Sequence, residues 1–319
     1  MKLWPDEIEA ERAEARAAVA SHIDAFRAFL GGAELEDADT DPVTIARRRR
    51  AHMDLQALAV PEAEPRDIAG VPCRVHRPDG RARGVYLHFH GGGMVVGAPE
   101  MNDFSNRELA RQLGVAVVAV DYRLAPEHPY PAGPDDGVAV ARWLVEHAER
   151  EFGGGRLVIG GESAGAYMSA AVLLRVRDEL GAIARFVGAN LVFGVYDWGG
   201  SPSQHGIRPH DGPDVLDPEA IRFFTSCYLP GRSDEQRRDP AISPAFADLR
   251  GLPPALMSVG TTDHLVDDTL ILASRWAATG AEVELFVAPD MPHGFLFFPC
   301  ALTTRFAALT TRWFEHVLA

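Results

Sequence analysis

Cysteine is scarce in this 319-residue chain: only Cys73, Cys227 and Cys300 occur, far apart and odd in number. They make neither a metal-ligand pair nor a disulfide framework, so a zinc module and a stapled secreted scaffold are both excluded. Positive charge is also short. Lys and Arg total 31 against 45 Asp and Glu, a net charge of −14, which argues against nucleic acid or an anionic membrane as partner. The one local exception is Arg47-Arg48-Arg49-Arg50. It falls inside a helix-like stretch from Pro42 to Leu58, and in so acidic a chain it reads as a solvated helix face. Long apolar runs are missing as well. No stretch reaches the length of a membrane span, and residues 1–30, rich in Glu, Arg and Ala, hold no apolar core of signal-peptide length. A reduced, cytoplasmic setting is therefore expected. There is no internal repeat and no low-complexity tract.

What is present suits a full-sized core. The chain is 47% hydrophobic and 24% charged, as expected for one large α/β domain with a smaller accessory region. Residues Pro5 to Leu30 read as an amphipathic helix with Val19, Ile23, Phe26 and Leu30 at helical spacing, stopped by Gly31-Gly32. A second helix is expected over Pro42 to Leu58. Strand-like runs then appear at Val71–His76, Val85–Phe89, Val115–Val120, Leu157–Ile159, Ala189–Phe193, Ala255–Val259 and Val283–Val287. Helical stretches at Asn102–Leu113, Asp135–Ala148, Ala164–Leu180, Asp267–Thr279 and Leu302–Val317 fall between or after them. Alternation of this kind implies a mainly parallel sheet flanked by helices on both faces. The first two runs, broken by Pro78-Asp79-Gly80, read as an antiparallel hairpin at the sheet's edge.

The regular pattern lapses between Trp198 and Pro240, where one helical patch, Pro218–Tyr228, interrupts a Gly-, Pro-, Ser- and Asp-rich insertion. Such insertions are commonly lids or binding loops. The expected organisation is an N-terminal helical cap segment over residues 1–60 and a catalytic domain over residues 61–319, with a cap insertion around 198–240. The cap is expected to govern substrate choice more than chemistry.

Gly161-Glu162-Ser163-Ala164-Gly165 follows the apolar run Leu157-Val158-Ile159 and precedes a helical stretch. Strand, sharp turn and helix push a serine hydroxyl out of the sheet, with glycines where strand and helix crowd together; this is the nucleophile elbow of an α/β-hydrolase. Upstream, Val85–Phe89 leads into His90-Gly91-Gly92-Gly93. Glycines there let backbone N–H groups turn inward toward an oxyanion, with the amide of Ala164 as a further donor. A serine nucleophile needs a base, and the base an orienting acid, in the chain order Ser, acid, His. Asp263 is the first carboxylate beyond the run Ala255–Val259. Asp267 and Asp268 fall where the next helix begins and read as charge favouring the helix dipole. His293 is the only histidine between the last strand-like run and the last helix; His264 lies beside the acid, and His316 near the final helix end.

Together these motifs resemble the hormone-sensitive-lipase family of α/β-hydrolases, the bacterial type IV esterases. The resemblance is carried by His90-Gly91-Gly92-Gly93, Asp121-Tyr122-Arg123-Leu124-Ala125-Pro126-Glu127, Gly161-Glu162-Ser163-Ala164-Gly165, Asp263 and Met291-Pro292-His293-Gly294-Phe295. The stretch from Tyr196-Asp197 through Ser201-Pro202-Ser203 belongs to it too. It covers roughly Pro61 to the end of the chain. It implies a triad of Ser163, Asp263 and His293 and an oxyanion hole drawn from Gly91, Gly92, Gly93 and Ala164. Met94 stands where an aromatic residue is common, and Glu162 where many members carry Asp or Thr. With Tyr167, Asp197, Phe223 and Leu265, they are the expected substrate-contacting residues. Asp121 to Glu127 are read as structural. The activity implied is hydrolysis of short- to medium-chain carboxylic esters, with no metal and no cofactor. The expected partner is a small ester; a homodimer is admitted, nucleic acid and membrane are not. An amidase, lactonase or carbamate hydrolase would use the same parts. A hydrolase-fold receptor would be expected to have lost a triad candidate, and all three are present.

Overall fold

The computed structural model describes residues 3–29, 41–53, 55–209 and 211–319. Leu30 and Gly31-Gly32, the expected end of the first helix, lie outside the described residues. The strands are β1 (Glu64–Ile68), β2 (Val71–His76), β3 (Val85–Phe89), β4 (Ala116–Val120), β5 (Leu157–Glu162), β6 (Phe186–Val192), β7 (Ala255–Gly260) and β8 (Val283–Ala288). They form one sheet in the order β1-β2-β4-β3-β5-β6-β7-β8. From β4 to β8 all neighbours are parallel, and β2 runs antiparallel to both of its neighbours. β3 and β4 are buried at every position. That is why they read as continuous Val-, Leu- and Ala-rich runs: a parallel sheet is covered on both faces.

The helices before the sheet are α1 (Asp6–Glu9), α2 (Arg12–Phe29), α3 (Pro42–His52) and α4 (Leu55–Leu58). Those that follow are α5 (Asp103–Leu113), α6 (Ala132–Phe152), α7 (Ala164–Arg175), α8 (Pro218–Tyr228), α9 (Asp234–Arg237), α10 (Val266–Ala277) and α11 (Ala301–Val317).

Three expectations are corrected. First, β2 and β3 are not a hairpin: β4 lies between them. The link from 77 to 84 carries the chain across, and the edge hairpin is β1–β2, closed by Ala69 and Gly70, both at positive φ. That geometry is the two-residue turn whose twist suits a hairpin. β1 was missed because Glu-Pro-Arg-Asp-Ile is polar and mostly exposed, as an edge strand is allowed to be. Second, the helix expected over Pro42–Leu58 is broken at Met53, whose backbone is extended. Its start is local chemistry: the Asp41 carboxylate accepts from the Thr44 amide at 3.0 Å, with Pro42 in the first turn. Third, the helix after the elbow ends at Arg175 and continues as a π turn over Val176–Leu180.

The apolar stripe of α2 is buried. Ala15, Val19, Ile23 and Phe26 share a core cluster with Met291, Phe295, Phe298 and Phe306. Phe26 stacks on Phe297 with ring centres 4.4 Å apart. At the other end, Arg12 forks onto Asp290 with bonds of 2.8 and 2.9 Å, and Arg16 joins the same carboxylate at 2.6 Å. α2 is thus clamped to the loop that follows β8.

Candidate active site

Ser163 stands between β5 and α7 at φ 56°, ψ −117°, a backbone region that non-glycine residues avoid and that functional turns keep. The two flanking glycines are demanded by the main chain opposite. A Cβ at Gly161 would lie 2.0 Å from the Phe89 carbonyl oxygen, and one at Gly165 would lie 1.9 Å from it. The hydroxyl faces His293: Oγ lies 2.9 Å from Nε2. His293 Nδ1–H donates to Asp263 Oδ2 at 2.8 Å, and the other carboxylate oxygen accepts from the Leu265 amide at 2.8 Å. The acceptor-only carboxylate fixes the tautomer, leaving Nε2 free to accept from the serine. Asp263 is fully buried. Ser163, Asp263 and His293 thus come from just beyond the carboxyl ends of β5, β7 and β8, where open α/β sheets place their crevice.

The other carboxylates near Asp263 do more than mark a helix start. Asp267 accepts from the Ser203 amide at 2.9 Å. Asp268 is fully buried and accepts from the amides of Tyr196 and Asp197, from Ser201 Oγ and from Gln204 Nε2, all within 2.6–2.9 Å. Burial still pushes its carboxyl up to about 6. Together they pin the 196–204 segment to α10. His264 bridges the Ser203 carbonyl and the Asp214 carboxylate, and His316 stands beside Glu282 at 3.7 Å; neither approaches Ser163.

The glycine loop is held from behind. His90 Nδ1–H donates to the Gly91 carbonyl at 2.7 Å, while the ring stacks on Tyr122 at 4.3 Å. Tyr122 in turn donates its hydroxyl to the His90 carbonyl at 2.8 Å. Burial pulls His90 down to about 4, so the loop is braced by a neutral ring. A Cβ at Gly92 would strike the Val96 carbonyl oxygen at 2.0 Å, and one at Gly93 the Phe224 ring at 2.4 Å. Gly91 lies against Ser163, its would-be Cβ 3.5 Å from the serine Cβ. Ala164 opens α7, so its N–H has no acceptor within the helix. Beside the serine, Asn106 donates to His88 Nδ1 at 3.2 Å, and His88 Nε2–H donates to Glu162 at 3.1 Å.

A cavity of about 810 Å³ opens over Ser163, His293 and the three glycines. Glu162, Phe223 and Leu265 line it, as expected from sequence. Met94, Tyr167 and Asp197 do not. Met94 is buried against Gly133, because its positive φ of 65° turns the side chain behind the loop. The Tyr167 hydroxyl meets that of Tyr228 at 2.9 Å in a buried aromatic cluster. Asp197 accepts from the Gly199 amide at 2.8 Å and pairs with Arg238. Phe26 and Phe224, from the two expected cap segments, line the cavity as well; missing from the sequence reading are Phe297, Leu216 and Phe193. Phe193 sits edge-on to the His293 ring at 4.9 Å. Met94, Ser163, Phe193 and Asp290 are four of the five non-glycine residues at positive φ among those described. Of these, Ser163 and Phe193 line the cavity, and a positive φ at such residues is a signal that sequence patterns do not carry. The Arg47–Arg50 run is only partly a solvated face: Arg50 donates to the carbonyls of Val95 and Ala125 and forks onto Glu127.

No helix among the described residues is long and apolar enough to cross a membrane. The same residues hold no cluster of three or more His, Cys, Asp or Glu side chains fit to hold a metal ion.

Comparison with known proteins gives a consistent result. Residues 86–297 match the family whose members have the alpha/beta hydrolase fold. Carboxylesterase NlhH of Mycobacterium tuberculosis (strain ATCC 25618 / H37Rv) is 35% identical over 288 residues, covering 85% of this chain and 87% of that protein. An ethyl acetate hydrolase of Pseudomonas putida is 31% identical over 239 residues, covering 72% of this chain and 73% of that protein. Among solved structures, a hormone-sensitive lipase from a metagenome library superposes with a TM-score of 0.76 at 29% identity, over 93% of this chain and 98% of that one.

Proposed function

The chain belongs to the α/β-hydrolase family as a carboxylic ester hydrolase of the hormone-sensitive-lipase type, and on that premise we propose that Ser163, His293 and Asp263 are its catalytic triad. The observation that carries this reading is the relay itself, Ser163 Oγ to His293 Nε2 at 2.9 Å and His293 Nδ1 to Asp263 at 2.8 Å. Ser163 attacks the ester carbonyl as His293 takes its proton. The oxyanion that forms is met by backbone N–H groups of the Gly91–Gly93 loop and of Ala164, each such donor being worth roughly 10²–10³ in rate. The protonated His293, steadied by Asp263, then gives its proton to the leaving alcohol. Water, activated by the same imidazole, releases the acid and restores the serine.

The substrates are soluble esters of short to medium acyl chain, a reading supported by the family resemblance and by the cavity of about 810 Å³ between the glycine loop and α8. Residues 1–60 and the insertion around 198–240 act as the cap over the site. The three buried, free cysteines suit a reducing cytoplasm. The test is a fluorophosphonate label together with hydrolysis of p-nitrophenyl butyrate. Both are expected in the native protein and both are expected to vanish in Ser163→Ala. Full labelling or turnover in the folded variant overturns the assignment.

A further inference from the structure

Arg49 lines the cavity from α3. Its guanidinium carbon stands 4.5 Å from the centre of the Phe223 ring and 5.6 Å from that of Phe224. The Phe224 ring in turn presses on Gly93, so a single aromatic ring separates the cation from the glycine loop. The side chain is half-buried, and its Nε is shut off from solvent without a hydrogen-bond partner. Among the described residues no carboxylate lies within ion-pair distance of it. Its neighbour Arg50, by contrast, is fully engaged with Glu127 and two carbonyls.

The aromatic rings cover a face of the guanidinium, but its donors lie in the plane, and rings do not accept from them. Burial pulls the group below the ordinary arginine value, offset only in part by the more distant charge of Asp217. The other charges at the cavity are already in use or exposed to solvent. Arg27 donates to the Asp214 carbonyl, and the Asp214 carboxylate pairs with Arg208 and His264. Asp217 caps α8, and Glu162 accepts from His88 and Asn102. Arg48 and Glu219, one of each sign, are exposed.

We propose that Arg49 binds a carboxylate carried by the substrate away from the scissile bond, so that this esterase prefers carboxylate-bearing esters such as monoesters of dicarboxylic acids. The proposal rests on the triad reading above and names the substrate class of that same site. Planar, in-line donors suit a carboxylate better than any neutral acyl terminus. A buried pair is also screened less by salt than an exposed one.

The experiment compares kcat/KM for monomethyl succinate, glutarate and adipate with that for methyl esters of neutral acids of matched length, in native protein, Arg49→Gln and Arg49→Lys. At the best chain length the anionic-to-neutral ratio is expected to fall by at least about tenfold in Arg49→Gln and to recover in part in Arg49→Lys. Concentrations are set by active-site titration, so that loss of folded protein does not enter the ratio. A second measurement needs no variant: glutarate and adipate are expected to inhibit native hydrolysis of p-nitrophenyl acetate competitively, and diols of the same length are not. An unchanged ratio in Arg49→Gln, or dicarboxylates no better than diols, overturns the role of Arg49 while leaving the triad intact. Native protein that hydrolyses neither ester class overturns the triad reading, and this proposal with it.

Discussion

Replacing Phe26 with alanine removes the ring that rests on Gly294, the residue after His293. An added Cβ at Gly294 would come within 2.8 Å of that ring, so contact is already tight. The same ring stacks on Phe297 at 4.4 Å and meets Phe298 edge-on at 5.6 Å. Truncating a fully buried phenylalanine costs ~3–5 kcal/mol. Phe26 is largely buried but turns one side to the cavity, which puts the change at the low end, about 3 kcal/mol. The effect should not stop at stability. The loop carrying His293 turns at positive φ at both Asp290 and Gly294, and α2 is what holds it against the β8 end of the sheet. A shift on the order of 1 Å at a catalytic group costs about 10²-fold in rate, so kcat on a small acetyl ester is expected to fall ten- to a hundredfold. Urea unfolding gives the first quantity, and kcat and KM across an acetyl-to-octanoyl series of p-nitrophenyl esters give the second. A variant destabilised by this amount that keeps its native kcat on acetate, and changes only its chain-length profile, would refute the reasoning. α2 would then be a wall of the substrate cavity and nothing more, as the sequence alone had led us to expect.

Asp263→Asn is expected to cut kcat by about 10³–10⁴-fold by reversing the hydrogen bond that sets the imidazole tautomer; Asp267→Asn, which keeps an oxygen for the Ser203 amide, should change kcat less than threefold, and equal losses in the two variants would contradict the choice of acid. Gly165→Ala forces a Cβ into a main-chain carbonyl that cannot move aside and should cost at least ~3 kcal/mol, whereas Gly181→Ala, with open space around it and only a positive φ of 61° against it, should cost ~1 kcal/mol; comparable thermal shifts for the two would sink the steric account of the elbow. Asp268 carries a carboxyl raised in the fold from 3.8 to about 6, so the folded state binds that proton more tightly than the unfolded chain. Its contribution to stability is therefore fullest below about pH 4 and declines as pH rises to about 6, by up to ~3 kcal/mol. The difference in unfolding free energy between native protein and Asp268→Asn should fall over that window, and a flat difference would show that Asp268 does not titrate as argued.

The residues of the relay were legible because each follows an apolar run, and the end of a strand is a local signal. Ser163 also carries its flanking glycines, which answer to a single carbonyl at Phe89. The cavity wall was not legible on the same terms. Phe193 continues a strand run and gives no sign that its φ turns it toward His293. Met94 follows the glycine loop in sequence, yet the same kind of turn sends it behind that loop. Arg49 and Arg50 are adjacent and identical, but one meets two aromatic rings and the other two carbonyls and a carboxylate. Strand order failed for a related reason. Which of β3 and β4 lies beside β2 is decided by pairing between distant segments, and both read as the same buried run. Asp268 was read as helix-start charge because nothing in Val-Asp-Asp announces the four donors that arrive from the 196–204 segment.

The sheet order has a consequence for how this protein fails. Ser163 directly follows β5, an interior strand laced to neighbours on both sides, while His293 hangs from β8, which has a neighbour on one side only. Proteins open piecemeal, with poorly protected elements leaving first. Warming or dilute denaturant should therefore release the histidine arm while the serine arm stays fixed. Turnover then becomes a gauge of one margin of the molecule rather than of the whole. A preparation with its full circular-dichroism signal and no esterase activity is a protein whose margin has opened, and cooling should bring the activity back.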